Sequence, residues 1–152
     1  MAIVQGLTTV FKQNCLSGLE NFTTGGQVVI SGVPTTLVYK IALYNGNANL
    51  DNTTTVYTTD NEITGTGYTA GGEVLTVIPP ALDNTANTAY VSFANVTWSP
   101  AAFTCRGALI YNSTTGAAVC VLNFGSDKTC TSTFTVTFPA DNAANAIIRF
   151  SY

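Results

Sequence analysis

The chain has 152 residues and a net charge of −3, and 9% of its residues are charged whereas 46% are hydrophobic. Typical soluble domains carry roughly 25% charged residues, so this composition excludes a highly charged disordered chain and leaves little repulsion between copies. The length fits one ordinary domain with a sizeable core. We therefore expect a single domain, residues 1–152, with part of its surface against a partner.

The first segment has the pattern of an amphipathic helix. Its apolar residues recur at helical intervals, at Ile3, Leu7, Val10, Phe11, Cys15, Leu16 and Leu19. This single apolar stripe predicts one helix over about residues 3–20. Gly25-Gly26 then marks a change to a strand pattern.

The rest of the chain reads as strands separated by turns and polar loops. We predict about eight strands, at residues 27–31, 37–44, 73–78, 88–98, 103–112, 117–124, 132–138 and 146–152. Residues 45–55 and 60–72 are predicted to be loops. Pro79-Pro80 is predicted to end a strand, because proline lacks the N–H that a ladder needs.

Two local patterns are the clearest. Phe134, Val136 and Phe138 alternate with threonines, which predicts a strand with one core face. Residues 113–116, with the sequence Ser-Thr-Thr-Gly, separate two apolar runs and predict a hairpin. Closely spaced strands of this kind favour an antiparallel β-sandwich over residues 27–152, jelly-roll-like, preceded by the N-terminal helix.

The sequence offers few groups for catalysis or metal binding. It has no histidine, and Cys15, Cys105, Cys120 and Cys130 contain no Cys-x-x-Cys spacing. We favour small buried apolar residues over disulfide partners as the role of these cysteines, and the sequence leaves open whether they are free or paired. Asp60 and Glu62 are interpreted as solvated loop carboxylates. We therefore expect no catalytic residues, no metal, no cofactor and no enzymatic activity.

Nothing indicates a nucleic-acid or membrane partner. The five basic residues are spread along the chain, at Lys12, Lys40, Arg106, Lys128 and Arg149. Phosphate binding requires a denser basic surface, and no apolar run reaches the roughly 18 residues of a membrane span. The N-terminal stretch lacks the basic start and compact apolar block of a signal peptide, so we expect the chain to stay in the compartment where it is made.

Two single residues invite a functional interpretation. Arg106 is a charge inside an apolar strand, and an outward edge position or an ion pair with Asp127 or Asp141 accounts for it. Trp98 stands at a predicted strand end. We favour core or interface packing for Trp98 over a sugar-stacking platform, because a tryptophan buries a large area.

Several longer sequence segments resemble those of a known group of proteins. "ARGALIYNSTTG", "VLNFGSDKT", "TFTVTFPA" and "NAIIRF", with "GTGYTAGGEVLT" upstream, cover about residues 62–150 and resemble a group of small β-rich structural proteins of tailed bacteriophages. The resemblance implies a virion component that is assembled in the host cytoplasm. The chain departs from the group at Cys105, Cys120 and Cys130, where other small residues are expected, so the resemblance assigns these thiols no role.

We therefore predict a non-enzymatic virion protein, most simply a capsid cement or decoration protein that stabilises the head as a homo-oligomer, a dimer or a trimer. Its partners would be the major capsid protein or other virion proteins. Candidate interface residues are Leu7, Phe11, Leu16, Leu19, Trp98 and Arg106. A neck or tail component is one alternative. Another is a jelly-roll receptor or carbohydrate-binding module of a tail fibre, with Trp98, Tyr57 and Tyr68 lining its groove.

Overall fold

The computed structural model describes residues 2–151, which form mainly β structure with one short helix. Every ladder between the strands is antiparallel. In chain order the elements are β1 (Gly6–Leu7), α1 (Thr9–Leu16), β2 (Gln27–Ile30), β3 (Val33–Thr36), β4 (Tyr39–Tyr44), β5 (Glu73–Val74), β6 (Val77–Asp83), β7 (Thr88–Phe93), β8 (Val96–Trp98), β9 (Phe103–Asn112), β10 (Ala118–Cys130), β11 (Phe134–Val136) and β12 (Ile148–Ser151). The prediction of a mainly antiparallel β protein is confirmed.

A five-stranded sheet, in the order β1-β10-β9-β4-β5, forms the centre of the molecule. Its long pair β9–β10 is the predicted hairpin, closed by a hydrogen bond from the Asn112 N–H to the Ala117 carbonyl at 2.8 Å. Gly116 adopts φ +82°, a left-handed conformation that glycine adopts without strain. The turn over residues 113–116 is confirmed.

Apolar side chains cover both faces of this sheet. Along β4, Ile41 and Leu43 point to one core cluster, and Ala42 and Tyr44 point to a second. The first cluster includes residues of the three-stranded sheet β12-β7-β6, of the small sheet β11-β8, and Phe11. Because neither face of β4 meets solvent, polar and apolar residues do not alternate along it, which explains its almost continuous apolar run.

The second cluster corrects the interpretation of residues 45–55 as a polar loop. Ala48 and Leu50 are buried against the sheet together with Ile3, and Ile3 forms a bridge with Leu50. The segment covers the outer face of the sheet with only a few apolar side chains. Its many Asn and Thr residues conceal this role in the sequence.

The N-terminal helix is much shorter than the predicted 3–20. Gly6 and Leu7 pair with Val121 and Cys120 of β10 instead of turning as a helix. The helix begins only after Thr8, whose hydroxyl accepts a hydrogen bond from the Phe11 N–H at 3.2 Å. The helical spacing of the apolar residues was therefore misleading outside Thr9–Leu16.

Several strand limits also differ from the prediction. Pro79-Pro80 does not stop β6, because β6 is an edge strand and its register shifts between Ile78 and Ala81. The predicted strand 88–98 is divided into β7 and β8. The predicted strand 132–138 shortens to β11, yet Val136 and Phe138 are buried and Thr135 and Thr137 are exposed, as the alternation predicts.

The predicted end of β10 and the predicted start of β12 were also wrong. β10 continues to Cys130, and a register shift between Asn123 and Lys128 accommodates the segment around Gly125. The last predicted strand, 146–152, begins at Ile148, and its final residue, Tyr152, lies outside the described residues.

The sequence analysis predicted only one strand of the β2–β3 hairpin. β2 agrees closely with the predicted strand 27–31, but β3 was not predicted. Ser31 and Gly32, at φ +50° and +82°, form a tight turn that reverses the chain onto β3. The β2–β3 hairpin pairs with itself as a separate two-stranded sheet.

Candidate functional site

The tip of the β2–β3 hairpin carries exposed apolar side chains. Val28, Ile30 and Val33 share one face of the hairpin, because Val28 and Ile30 alternate along β2 and Val33 pairs with Ile30. Val28 is buried, Ile30 is half-buried and Val33 is 59% exposed. On the opposite face Val29 is 63% exposed. The tip therefore presents valines to solvent on both faces.

A second apolar surface crosses the three-stranded sheet. Leu82 of β6 and Phe150 of β12 both pair with Ala89 of β7, so the three side chains form one row on one face. Leu82 is 67% exposed and Phe150 is 46% exposed. Two residues further along the same face, Val91 and Ile148 are buried. The apolar face of this sheet thus continues from the core out to solvent.

A cavity of about 150 Å³ lies where this face meets the segment that contains α1. Phe11 and Phe22 line it from one side and Val91, Ile148 and Phe150 from the other. Phe150 stacks on Phe11 with ring centroids 6.1 Å apart. Three ionisable groups, Glu20, Cys15 and Tyr90, also line this otherwise mainly apolar cavity.

Glu20 is half-buried and is held by three neutral donors from three parts of the chain. Its Oε2 accepts hydrogen bonds from the Tyr39 hydroxyl at 2.7 Å and the Asn112 amide at 3.2 Å, and its Oε1 accepts one from the Asn14 amide at 3.3 Å. Burial raises the pKa of Glu20, and the three hydrogen bonds offset part of that effect. The carboxylate joins α1, β4 and the end of β9.

Cys15 lies close enough to Glu20 for the two charges to interact. Burial, and then the negative charge of Glu20, raise the pKa of the Cys15 thiol to about 11. All four cysteines have free thiols, and burial raises the pKa of both Cys105 and Cys120 to about 12. The thiols of Cys15, Cys105 and Cys120 are therefore protonated at neutral pH, which makes them weak nucleophiles.

Glu62 corrects the interpretation of two solvated loop carboxylates. Asp60 is exposed, but Glu62 accepts hydrogen bonds from the hydroxyls of Tyr57 and Tyr68, both at 2.6 Å, and from the Gly71 N–H at 2.7 Å. The Tyr68 hydroxyl also accepts from the Leu43 N–H in β4 at 2.9 Å. Glu62 therefore fastens the long loop between β4 and β5 to the central sheet.

The six predicted interface residues have different environments. Phe11 and Trp98 lie inside the core and offer no surface to a partner. Leu7 is half-buried in β1, whereas Leu16 is 91% exposed and Leu19 is also exposed. Arg106 forms an ion pair with Asp127 at 3.0 Å, which confirms one of the two partners proposed for it.

The predicted aromatic groove does not form. Trp98 is buried, and Tyr57 stacks on Tyr111 with centroids 4.6 Å apart while its hydroxyl is bonded to Glu62. Tyr68 is likewise bonded to Glu62 and lies against Phe103. Trp98 therefore has no exposed ring surface for a sugar, and Tyr57 and Tyr68 are half-buried.

Sequence reasoning missed the residues that carry the exposed surface: Val29, Val33, Leu82, Phe150 and Glu20. The turn residues Ser31-Gly32 between two β-branched pairs were a usable signal for the first two. No local signal marks Leu82, Phe150 or Glu20, since their neighbours come from distant parts of the chain.

Other site classes are not supported within residues 2–151. This part of the chain brings no group of three or more His, Cys, Asp or Glu side chains into an arrangement that could hold a metal ion. Its helix is too short to cross a membrane. Comparisons with protein-family models, with curated proteins and with solved structures found no match for the chain.

Proposed function

We propose that the chain is a non-enzymatic structural protein of a phage virion, a capsid cement or decoration protein that binds the head by protein–protein contacts. The resemblance of residues 62–150 to small phage structural proteins supports a place for the chain in the phage particle. The observation that carries the docking role is the exposed, uncharged tip of the β2–β3 hairpin.

The hairpin is built like a contact element. A two-stranded hairpin is marginally stable in water on its own, and this one leaves Val29 and Val33 more than half exposed. Residues 21–39 contain no Asp, Glu, Lys or Arg, so a partner can cover the hairpin without desolvating an ion. Covering the exposed part of each valine favours binding by about 1 kcal/mol.

The scarcity of charge supports the same role for the rest of the surface. Interfaces are depleted of charged residues at their centres, and residues 2–151 contain one ion pair, Arg106–Asp127. The hairpin tip and the row Leu82, Ala89 and Phe150 give two separate contact surfaces. Two surfaces suit a protein that binds both the shell and another copy of itself.

The packing of the two larger sheets fits a sandwich. We propose that the five-stranded and three-stranded sheets are the two layers of a jelly-roll-like sandwich within one domain. Ile41 and Ile110 of the larger sheet and Val91 and Ile148 of the smaller one belong to the same core cluster, which supports this arrangement.

Copy number tests the role. Virions of the phage that encodes the chain are purified, the chain is counted by quantitative mass spectrometry, and its position is found by cryo-electron microscopy. We expect hundreds of copies on the head, arranged as dimers or trimers. No copies would overturn the virion assignment, and a handful at one vertex would place the chain in the neck or tail instead.

Variants then test the contact element. We expect Val29→Ser together with Val33→Ser to reduce binding to particles that were produced without the chain. Val56→Ser and Val74→Ser, each at a valine that is also more than half exposed, serve as the matched control. Equal binding of the two double variants would remove the hairpin from the interface.

A further inference from the structure

The cavity between α1 and the three-stranded sheet, here called the Glu20 cavity, combines an apolar wall with an uncompensated acid. Phe11, Phe22 and Phe150 supply aromatic surface, and Glu20 supplies the carboxylate. Within residues 2–151 the only ion pair is Arg106–Asp127, so no cationic side chain lies against Glu20. The three groups that bind Glu20 are all neutral donors.

The hydrogen bonds leave one oxygen of Glu20 incompletely used. A carboxylate has about four acceptor positions. Oε2 accepts from Tyr39 and Asn112, whereas Oε1 accepts only a long bond from Asn14, at 3.3 Å. A single cationic donor can therefore still bind at Oε1. The raised pKa of Glu20 agrees with a buried charge that lacks a counter-ion.

We infer that the Glu20 cavity receives a lysine side chain of the capsid partner. Its methylene groups would pack against the exposed part of Phe150, and its ammonium group would bind Glu20 Oε1. The inference rests on the proposed function, because the lysine is supplied by the protein to which the chain docks. It identifies the chemistry of that partner surface as an apolar patch with a protruding lysine.

Lysine fits this position better than arginine for a geometric reason. A guanidinium binds a carboxylate best through two parallel bonds, one to each oxygen. Oε2 already has two donors, Tyr39 and Asn112. An ammonium is a point charge that needs one oxygen only, and the butylammonium end of a lysine is small enough for a cavity of about 150 Å³.

A purely structural role for Glu20 is the alternative, and it makes a different prediction. Glutamine at this position keeps an oxygen that accepts the bonds from Tyr39 and Asn112, and its amide nitrogen can donate to the Asn14 side-chain oxygen once the Asn14 amide reverses. Joining the three segments therefore does not require a charge. Binding an ammonium group does. Glu20→Gln therefore separates the two roles, since it preserves shape and removes charge.

The first test uses n-butylammonium as the probe on the full chain, followed by two-dimensional amide NMR. We expect saturable shifts at the amides of Cys15, Val91 and Phe150. Butan-1-ol, which has the same apolar part without the charge, should bind at least about ten-fold more weakly, the factor expected for a lost charged hydrogen bond. n-Propylguanidinium should also bind more weakly than n-butylammonium.

Variants complete this test. We expect Glu20→Gln to lose the preference for n-butylammonium over butan-1-ol, and Phe150→Ala to weaken both probes. Val56→Ala, at an exposed valine outside the cavity lining and outside both contact surfaces, should leave both unchanged. Unchanged butylammonium affinity in Glu20→Gln, or no saturable shifts in the wild-type chain, would overturn the inference.

The second test is made on particles that were produced without the chain. We expect wild-type chain to bind them, Glu20→Gln to bind at least about ten-fold more weakly, and acetylation of the particle lysines to abolish this difference. Equal binding of wild type and Glu20→Gln would overturn the lysine contact while the docking role stands. Failure of the wild-type chain to bind would instead overturn the proposed function.

Discussion

The Tyr39 hydroxyl donates a 2.7 Å hydrogen bond to Glu20 Oε2, which fastens the segment after α1 to strand β4 of the central sheet. The Asn21 N–H donates to the same hydroxyl at 3.3 Å, and Phe22 stacks on the Tyr39 ring with centroids 4.4 Å apart. One tyrosine thus holds residues 20–22 by two hydrogen bonds and a ring contact. The wall of the Glu20 cavity depends on this attachment.

We expect Tyr39→Phe to destabilise the protein by about 1.5–3 kcal/mol, the usual value for a hydrogen bond to a charged group. Phenylalanine keeps the stacking on Phe22 and removes only the hydroxyl, so the loss reports the bonds to Glu20 and Asn21. Urea unfolding at pH 7 measures the change in the free energy of unfolding. Tyr90→Phe, at another tyrosine of the cavity lining, is the control. Equal small losses in both variants would show that the Tyr39 hydroxyl contributes little.

We expect the ionisation of Glu20 to affect how the free energy of unfolding changes with pH. Its pKa in the folded protein is raised above the ordinary value of 4.5, so between these two pKa values the folded state binds more protons than the unfolded state. Stability therefore falls as the pH rises above about 4.5. Of the groups that contact Glu20, Cys15 and Tyr39 are titratable, and both have raised pKa values, so neither titrates in this range.

Glu20→Gln removes that titration. We expect the stability of the variant to fall less than that of the wild type between pH 4.5 and neutrality. Urea unfolding midpoints of the two proteins, measured across this range, give the comparison. Asp51→Asn is a control at a carboxylate whose pKa is lowered from 3.8 by bonds from Thr53, so the substitution should leave the slope between pH 4.5 and neutrality unchanged. Parallel profiles for wild type and Glu20→Gln would contradict this account of the Glu20 pKa.

Local sequence patterns predicted the parts of the fold that local interactions determine. The β9–β10 hairpin and the alternation at Phe134, Val136 and Phe138 depend on neighbouring residues and were predicted from them. The helix was overextended because Leu7 has helical spacing from Phe11 but pairs with Cys120, more than a hundred residues away. Contacts of that range leave no periodic trace in a single sequence.

The candidate site shows the same limit. For Arg106, a charge inside an apolar strand, the sequence left an outward edge position and an ion pair with Asp127 or Asp141 open, and the structure shows the pair with Asp127. Glu20 gave no such signal, since its donors Asn112 and Tyr39 come from other elements. Its role appears only when three distant segments are placed together.

We expect Glu62→Ala to release the long loop between β4 and β5. The substitution leaves two tyrosine hydroxyls and the Gly71 N–H without their acceptor, which costs about 2 kcal/mol or more. Hydrogen exchange should accelerate at the Gly71 and Ile63 amides, which are bonded to Glu62 and to Leu43 in the native loop. Asp60→Ala, at the exposed neighbour, should leave both rates unchanged. Identical exchange in the two variants would show that the loop is held by its apolar contacts alone.

A pair of glycine substitutions tests how closely the end of this loop packs on the central sheet. A Cβ at Gly72 would lie 1.8 Å from the Ile41 carbonyl oxygen, and Gly72 has φ +69°, whereas a Cβ at Gly116 would meet open space at φ +82°. Both Gly→Ala variants incur the backbone cost of a left-handed conformation, about 1 kcal/mol. Only Gly72→Ala must also push β4 and the loop apart.

We therefore expect Gly116→Ala to lose about 1 kcal/mol of unfolding free energy and Gly72→Ala to lose several times as much, both measured by urea unfolding. The difference between the two isolates the steric contact with Ile41, because the conformational cost is shared. Similar losses would mean that the loop can move away from β4 at little cost. In that case Glu62, and not close packing at Gly72, would be the main attachment of the loop to the sheet.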